Sequence, residues 1–138
     1  MSESAVRYIL DSNYDDRNKY FKNGHHFSPK LQREIHYRSS WELKAYKALD
    51  IDPNVKTYEP EPKPGIPYIF EGSRNYIPDI LIEYTDGRKV LVEIKPQYLI
   101  SDSKNQAKFA AAKQHCLNEG YDFEIWSENQ LELLTESA

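Results

Sequence analysis

Two short strings hold the residues best suited to chemistry: Ile77-Pro78-Asp79 and, fourteen positions beyond that aspartate, Glu93-Ile94-Lys95. A carboxylate pair beside a lysine suits Mg2+, a hard cation that takes carboxylate oxygens and keeps several of its waters. A metal held there lowers the pKa of a bound water, and the lysine can orient the attacking water or offset charge that builds on a phosphate. Asp79, Glu93 and Lys95 in one site therefore point to phosphodiester hydrolysis. Each string alone also has an ordinary reading, since Pro-Asp is a common strand entry and Glu-x-Lys on an exposed strand is a solvated pair. The segment between them is what joins the two.

That segment reads as a β-hairpin. Tyr76 to Tyr84 is rich in β-branched and aromatic residues, Thr85-Asp86-Gly87-Arg88 carries the Asp-Gly turn signal, and Lys89 to Lys95 returns as a second apolar strand. Successive strand side chains alternate faces, so Glu93 and Lys95 share one side, and Asp79 shares a side with Leu81 and Glu83. Pro78 cannot donate a ladder hydrogen bond, so the strand begins there or is unpaired at that point, leaving Asp79 near a frayed end.

A third carboxylate comes from a helix. Trp41, Ala45, Ala48 and Leu49 recur at i, i+4, i+7 and i+8, which predicts a helix from Ser40 to Leu49. Glu42 lies one step of about 100° from Trp41, at the border of the buried stripe, where it can look along the sheet. Ser39-x-x-Glu42 also fits a capping box, in which Glu42 bonds backbone at the helix start, and the two roles are compatible.

These strings, with Asp52-Pro53-Asn54-Val55, Tyr58-Glu59-Pro60-Glu61-Pro62 and Pro96 after Lys95, form a PD-(D/E)xK pattern and resemble the N-terminal catalytic domain of TnsA-type transposon endonucleases. Phage head-completion nucleases of the same superfamily carry a similar Arg-Ser-x-Trp-Glu and Pro-Asp pattern, here Arg38-Ser39-Ser40-Trp41-Glu42 and Pro78-Asp79. The resemblance covers roughly residues 25 to 126. It implies an α/β fold with a restriction-endonuclease-like core, a mixed central β-sheet flanked by helices in the order α-β-β-β-α-β. It implies a metal-dependent DNA endonuclease of a phage or mobile element, with Glu42, Asp79 and Glu93 as acidic ligands, the Ile94 carbonyl as a further ligand, and Lys95 as the catalytic lysine. Mg2+ is the expected cofactor, with Mn2+ able to substitute. Implied partners are DNA, a transposase-like or phage-structural protein, and a second copy in a homodimer. The full-length transposon enzymes continue into a partner-contacting domain, which is not expected here. The alternative is a non-catalytic assembly, head-completion or DNA-docking protein that keeps the fold.

The remaining sequence fits one domain. The 138 residues hold one cysteine and no internal repeat, so a polar arm over 1–24, a nuclease domain over 25–127 and an acidic tail over 128–138 are expected. The tail, helical-looking from Glu128 to Thr135, would dock on a partner or fray. Cys116, among Ala110, Ala111, Ala112 and Leu117, reads as a buried structural thiol, and a reducing cytoplasm, in a bacterial host or associated with a virion, is the expected setting. No apolar run approaches the length of about 20 residues that crosses a membrane. Net charge is −4, but Arg17 to Lys47 carries eight Lys/Arg against two acidic residues, while Glu119 onward carries six acidic residues and no Lys or Arg. Phosphate contacts are thus expected from Lys22, Lys30, Arg33 and Arg38, with a solvated basic face as the alternative. A helix over Ser103 to Asn118, capped by Gly120, carries Lys104 and Lys108 near its anion-favouring N-terminus, and these either reach phosphates or form a solvated face. His25 and His26 read as loop residues near the phosphate, because one cysteine and no paired spacing cannot complete a zinc site. Pro60, Pro62, Pro64 and Pro67 predict an extended crossing before Tyr68.

Overall fold

The Asp86-Gly87 turn closes as its residues require: Gly87 takes φ 91°, its N–H bonds the Tyr84 carbonyl at 3.0 Å, and β6 (Ile80–Tyr84) pairs antiparallel with β7 (Lys89–Ile94). A Cβ at that φ would be strained, so glycine fits the turn. These strands belong to a computed structural model that describes residues 23–137. They are the middle of a four-stranded sheet in the order β3-β6-β7-β8, with β3 (Val55–Pro60) antiparallel to β6 and β8 (Asp122–Trp126) parallel to β7. The sheet is therefore mixed, as expected.

Both faces of the sheet are covered. On one, α1 (Ser40–Ile51) lays Trp41, Ala45, Tyr46 and Leu49 against Val55, Tyr58, Ile80, Ile82, Val90 and Val92. On the other, Ala112 and Cys116 of α3 (Ser103–Glu119) pack with Leu91 and with Ile66, Tyr68 and Tyr76. β7 gives Val90 and Val92 to the first core and Leu91 to the second, which explains its nearly continuous apolar run. α3 opens on an Asp102 cap and ends at Gly120, φ 79°, the left-handed C-cap that its sequence predicts. A short α2 (Gln97–Ile100) links β7 to α3. Burial pushes the Cys116 thiol up to about 11, as suits a structural cysteine.

Three segments differ from expectation. Tyr76 to Tyr84 is two strands: Tyr76 ends β5 (Ser73–Tyr76), and β6 begins only at Ile80. Pro67 is not part of an extended crossing; it lies in β4 (Ile66–Ile69) opposite Asn75, in a separate hairpin with β5. β4 and β5 are four residues each and lean on α3 through Ile66, Tyr68 and Tyr76, a tertiary support that local pattern does not reveal. His25 and His26 lie in β1 (Gly24–Ser28), paired with β2 (Arg33–Tyr37), rather than in a loop. Residues 1–22 of the expected arm lie outside the described residues. The acidic stretch expected to look helical from Glu128 to Thr135 does form a helix, α4 (Glu128–Ser137), and its Leu131 enters the first core.

One buried carboxylate pins the β1–β2 hairpin to the domain. Asp50 accepts from Ser28 Oγ (2.5 Å) and Tyr58 OH (2.8 Å) on Oδ1 and meets His26 Nε2 (2.7 Å) on Oδ2. Its side chain is 3% exposed. Asp50→Ala strips the acceptor from two buried hydroxyls, so it is expected to destabilise the fold by about 3 kcal/mol. Urea unfolding at neutral pH checks this, with Lys47→Ala as the surface control.

Candidate active site

The site lies where β6 and β7 part. Their pairing runs from Glu83↔Lys89 to Ile80↔Val92 and stops one residue before Asp79 would face Glu93. Beyond that point each strand keeps only its outer neighbour. The Asp79 carbonyl accepts from Glu61 N–H (2.8 Å) on the β3 side, while Lys95 N–H donates to the Trp126 carbonyl (3.0 Å) on the β8 side. Pro78, fully buried and without an N–H, marks the break. The fork is closed by a side chain: Asp79 Oδ2 accepts from Ile94 N–H at 2.6 Å, taking a place that a ladder carbonyl would otherwise fill.

Strand phase then places the rest. Leu81 and Leu91 face each other on the α3 side, so Asp79, two residues before Leu81, and Glu93 and Lys95, two and four residues after Leu91, turn to that side too in the same alternation. Glu93 is buried; its Oε1 accepts from Tyr76 OH at 2.6 Å, and its Oε2 lies 3.3 Å from Lys95 Nζ. Tyr76 is the functional partner that sequence reasoning missed, because the β4–β5 hairpin that delivers it was not legible.

Glu42 joins from α1 across the edge of the sheet. Ser39 Oγ accepts its N–H at 3.2 Å, and Glu42 Oε1 accepts from Arg38 N–H at 2.6 Å, so the helix cap expected of this pair is present, shifted by one residue at the carboxylate. Asp79 feels this same carboxylate. Burial first, then Glu93 and Glu42, hold the Asp79 carboxyl well above the usual carboxylate range. Glu42 is pushed up to about 7, chiefly by burial and partly by Glu61. One turn along α1, the Tyr46 hydroxyl is fully buried, makes no hydrogen bond among the described residues, and is raised by burial and then by Glu42 and Asp79.

Among the described residues no three His, Cys, Asp or Glu side chains form a ready-made metal cage. Asp79 and Glu42 instead each spend one oxygen on a backbone N–H, of Ile94 or Arg38, and offer the other, while Glu93 gives one oxygen to Tyr76 OH and turns the other to Lys95. The donor set fits a hard divalent cation all the same. Three carboxylates and one paired lysine leave about two negative charges, the orphan Tyr46 donor is polar surplus that a hydrated ion can absorb, and Mg2+ is held by one or two carboxylates and waters rather than by a protein cage. The Ile94 backbone lies in the fork, where its N–H is already committed to Asp79.

The expected phosphate contacts scatter. Lys22 lies outside the described residues. Lys30 is a structural tie, donating to the carbonyls of Asp52 and Val55 at 2.6 Å each, so it is not a free cation on the surface. Arg33 is exposed on β2. Arg38 is exposed and pairs with Glu61 (2.9 Å) beside Glu42. Lys108 reaches the site itself, over the Tyr76 ring at 5.7 Å, with Lys104 one turn earlier on α3. Burial, then Lys95, lowers the Lys108 ammonium below its usual range.

Comparison with known proteins points to a family. The family model described as TnsA-like endonuclease N terminal matches residues 52–128, more than half of the chain and the part that carries Asp79, Glu93 and Lys95. The head completion nuclease of Enterobacteria phage T4 is 34% identical over 101 residues, 70% of this chain and 65% of the phage protein, so the chain spans slightly under two thirds of that relative's length. The chain belongs to the TnsA-like endonuclease N-terminal family.

Proposed function

We propose that the chain is a Mg2+-dependent DNA endonuclease built on a restriction-endonuclease-like PD-(D/E)xK core, with Mn2+ able to replace Mg2+. The observation that carries this reading is the β6/β7 fork, which sets Asp79 and Glu93 on one face beside Lys95. Glu42, Asp79 and Glu93 would hold the ion, with the Ile94 carbonyl as a further oxygen. The ion's chemistry when bound is to lower the pKa of a water and to neutralise charge on the phosphate. Lys95, fixed by Glu93, orients the water and answers charge on the phosphate oxygens. Tyr76 holds Glu93 by one oxygen, so that the other stays turned to Lys95. The name of the T4 relative supports a nuclease and a phage or mobile-element setting.

That name also favours a second reading, a head-completion protein that keeps the fold without the chemistry, with DNA or a phage-structural protein as partner. The buried carboxylates weigh against it. A docking module gains nothing from holding Glu93 and Glu42 where both raise the Asp79 carboxyl.

Supercoiled plasmid separates the two. With Mg2+ or Mn2+ the protein is expected to yield nicked or linear product, and excess EDTA should remove all of it. Intact plasmid with either ion would establish the assembly reading, and cutting that survives EDTA would exclude the metal.

A further inference from the structure

The two lysines at the site have different neighbours. Lys95 Nζ is 3.3 Å from Glu93 Oε2, with only 14% of its side chain exposed. Lys108 is half-buried and has no carboxylate within ion-pair distance among the described residues; its contact is the face of Tyr76. An ammonium withdrawn from water without a counter-ion is unfavourable, and the ring's quadrupole offsets only part of that. Lys108 also feels the charges of Lys95, Glu93, Lys104 and Asp79, in keeping with its place over Tyr76, whose hydroxyl grips Glu93.

The helix explains why the amine is held there. Asn105, Phe109, Ala112 and Cys116 of α3 are buried, and the small residues Ala107 and Ala111 let the helix lie close to the sheet. Lys108, next to the buried Phe109 on this helix, is half-buried and lies over the Tyr76 ring. Lys104, four residues earlier, extends the same face toward the helix N-terminus.

We propose that Lys108 is the residue that binds a substrate backbone phosphate at the active site, with Tyr76 as its platform and Lys104 as the outer cation of the same anionic track. Lys95 and Lys108 thereby divide the work: one is committed to Glu93 and the water, the other to the phosphodiester. This rests on the nuclease reading for its substrate, but its test does not need cleavage. An anionic oxygen beside Lys108 supplies the counter-ion that no described carboxylate within ion-pair distance provides. Lys108 on Tyr76, which itself grips Glu93, also couples substrate seating to the orientation of that carboxylate.

The experiment measures equilibrium binding of a fluorescent duplex oligonucleotide by anisotropy in Ca2+ across a series of salt concentrations. The variants are Lys108→Met, which keeps the alkyl stem over Tyr76, and Lys108→Arg, which keeps the charge; Lys113→Gln, exposed on α3, is the control. Lys108→Met is expected to lower the slope of log K against log salt by about 0.9, the value for one duplex phosphate contact, while Lys108→Arg and Lys113→Gln keep it. With a cutting metal, Lys108→Met should raise KM more than it lowers kcat. An unchanged slope for Lys108→Met overturns the proposal, as does an equal loss with Lys113→Gln. In either case Asp79-dependent cleavage by the parent protein leaves the nuclease reading intact. Binding that follows the expected pattern in a protein unable to cut would instead keep the phosphate site and discard the nuclease reading.

Discussion

Asp79→Asn is expected to remove metal-dependent cleavage by about a thousandfold or more and, in EDTA, to raise the melting temperature. The loss follows from the ion: several kcal/mol of charge stabilisation depends on its ligands, and each decade of rate is worth about 1.4 kcal/mol. The gain follows from electrostatics. Burial, with Glu93 and Glu42 behind it, raises the Asp79 carboxyl well above its usual value of 3.8. An acid whose folded pKa is raised contributes stability below its unfolded pKa and loses it as pH rises through the folded one. Ionising Asp79 at neutral pH is thus a burden on the metal-free fold, and asparagine, which keeps an oxygen for Ile94 N–H, removes it. The stability difference between variant and parent should widen as pH climbs from 4 to 8 and shrink when Mg2+ is added to the parent. Parent-like cutting by Asp79→Asn, or a fall in its melting temperature at pH 8, would contradict this placement.

The central hairpin was legible because its signals are local. Asp86-Gly87 sets the turn, period-2 alternation fixes which side Asp79 and Glu93 take, and Pro78 announces that pairing fails beside Asp79. α1 and α3 were readable for the same reason, from Ser39 and Gly120 at their ends and apolar spacing between. What stayed hidden depends on distant partners. Ile35 is the buried residue of β2, so a strand of Arg, Glu and His gives almost no alternation; the hairpin is held instead by Asp50, in a helix, and by Lys30 reaching the carbonyls that follow it. β4 and β5 are too short to announce themselves and take their support from α3. Leu131 lies in a helical-looking acidic stretch expected to dock on a partner or fray, and only its packing in the first core reveals a core residue. The same limit applies to the site. Carboxylates could be read from spacing, whereas Tyr76 behind Glu93 and Lys108 above it required the third dimension.

Glu42→Gln tests the residue with two roles. Its carboxylate caps α1 through Arg38 N–H, and an amide oxygen can accept that bond equally well. The cap should therefore survive while the charge is lost. If Glu42 contributes to the ion, cleavage should fall by about two to three orders of magnitude and the Mg2+ concentration for half-maximal rate should rise. The pH dependence adds a second readout. Burial pushes Glu42 from 4.5 up to about 7, so its contribution to stability in EDTA declines across that interval. Glutamine does not titrate, and the variant should match the parent at pH 4 and exceed it above about 7. Ser39→Ala supplies the opposite signature: loss of the N-cap acceptor should lower stability by about 1 kcal/mol at every pH while leaving the metal response in place. A Glu42→Gln protein that cuts at the parental rate, with its Mg2+ dependence unshifted, would reduce Glu42 to a cap and leave Asp79 and Glu93 as the whole acidic site.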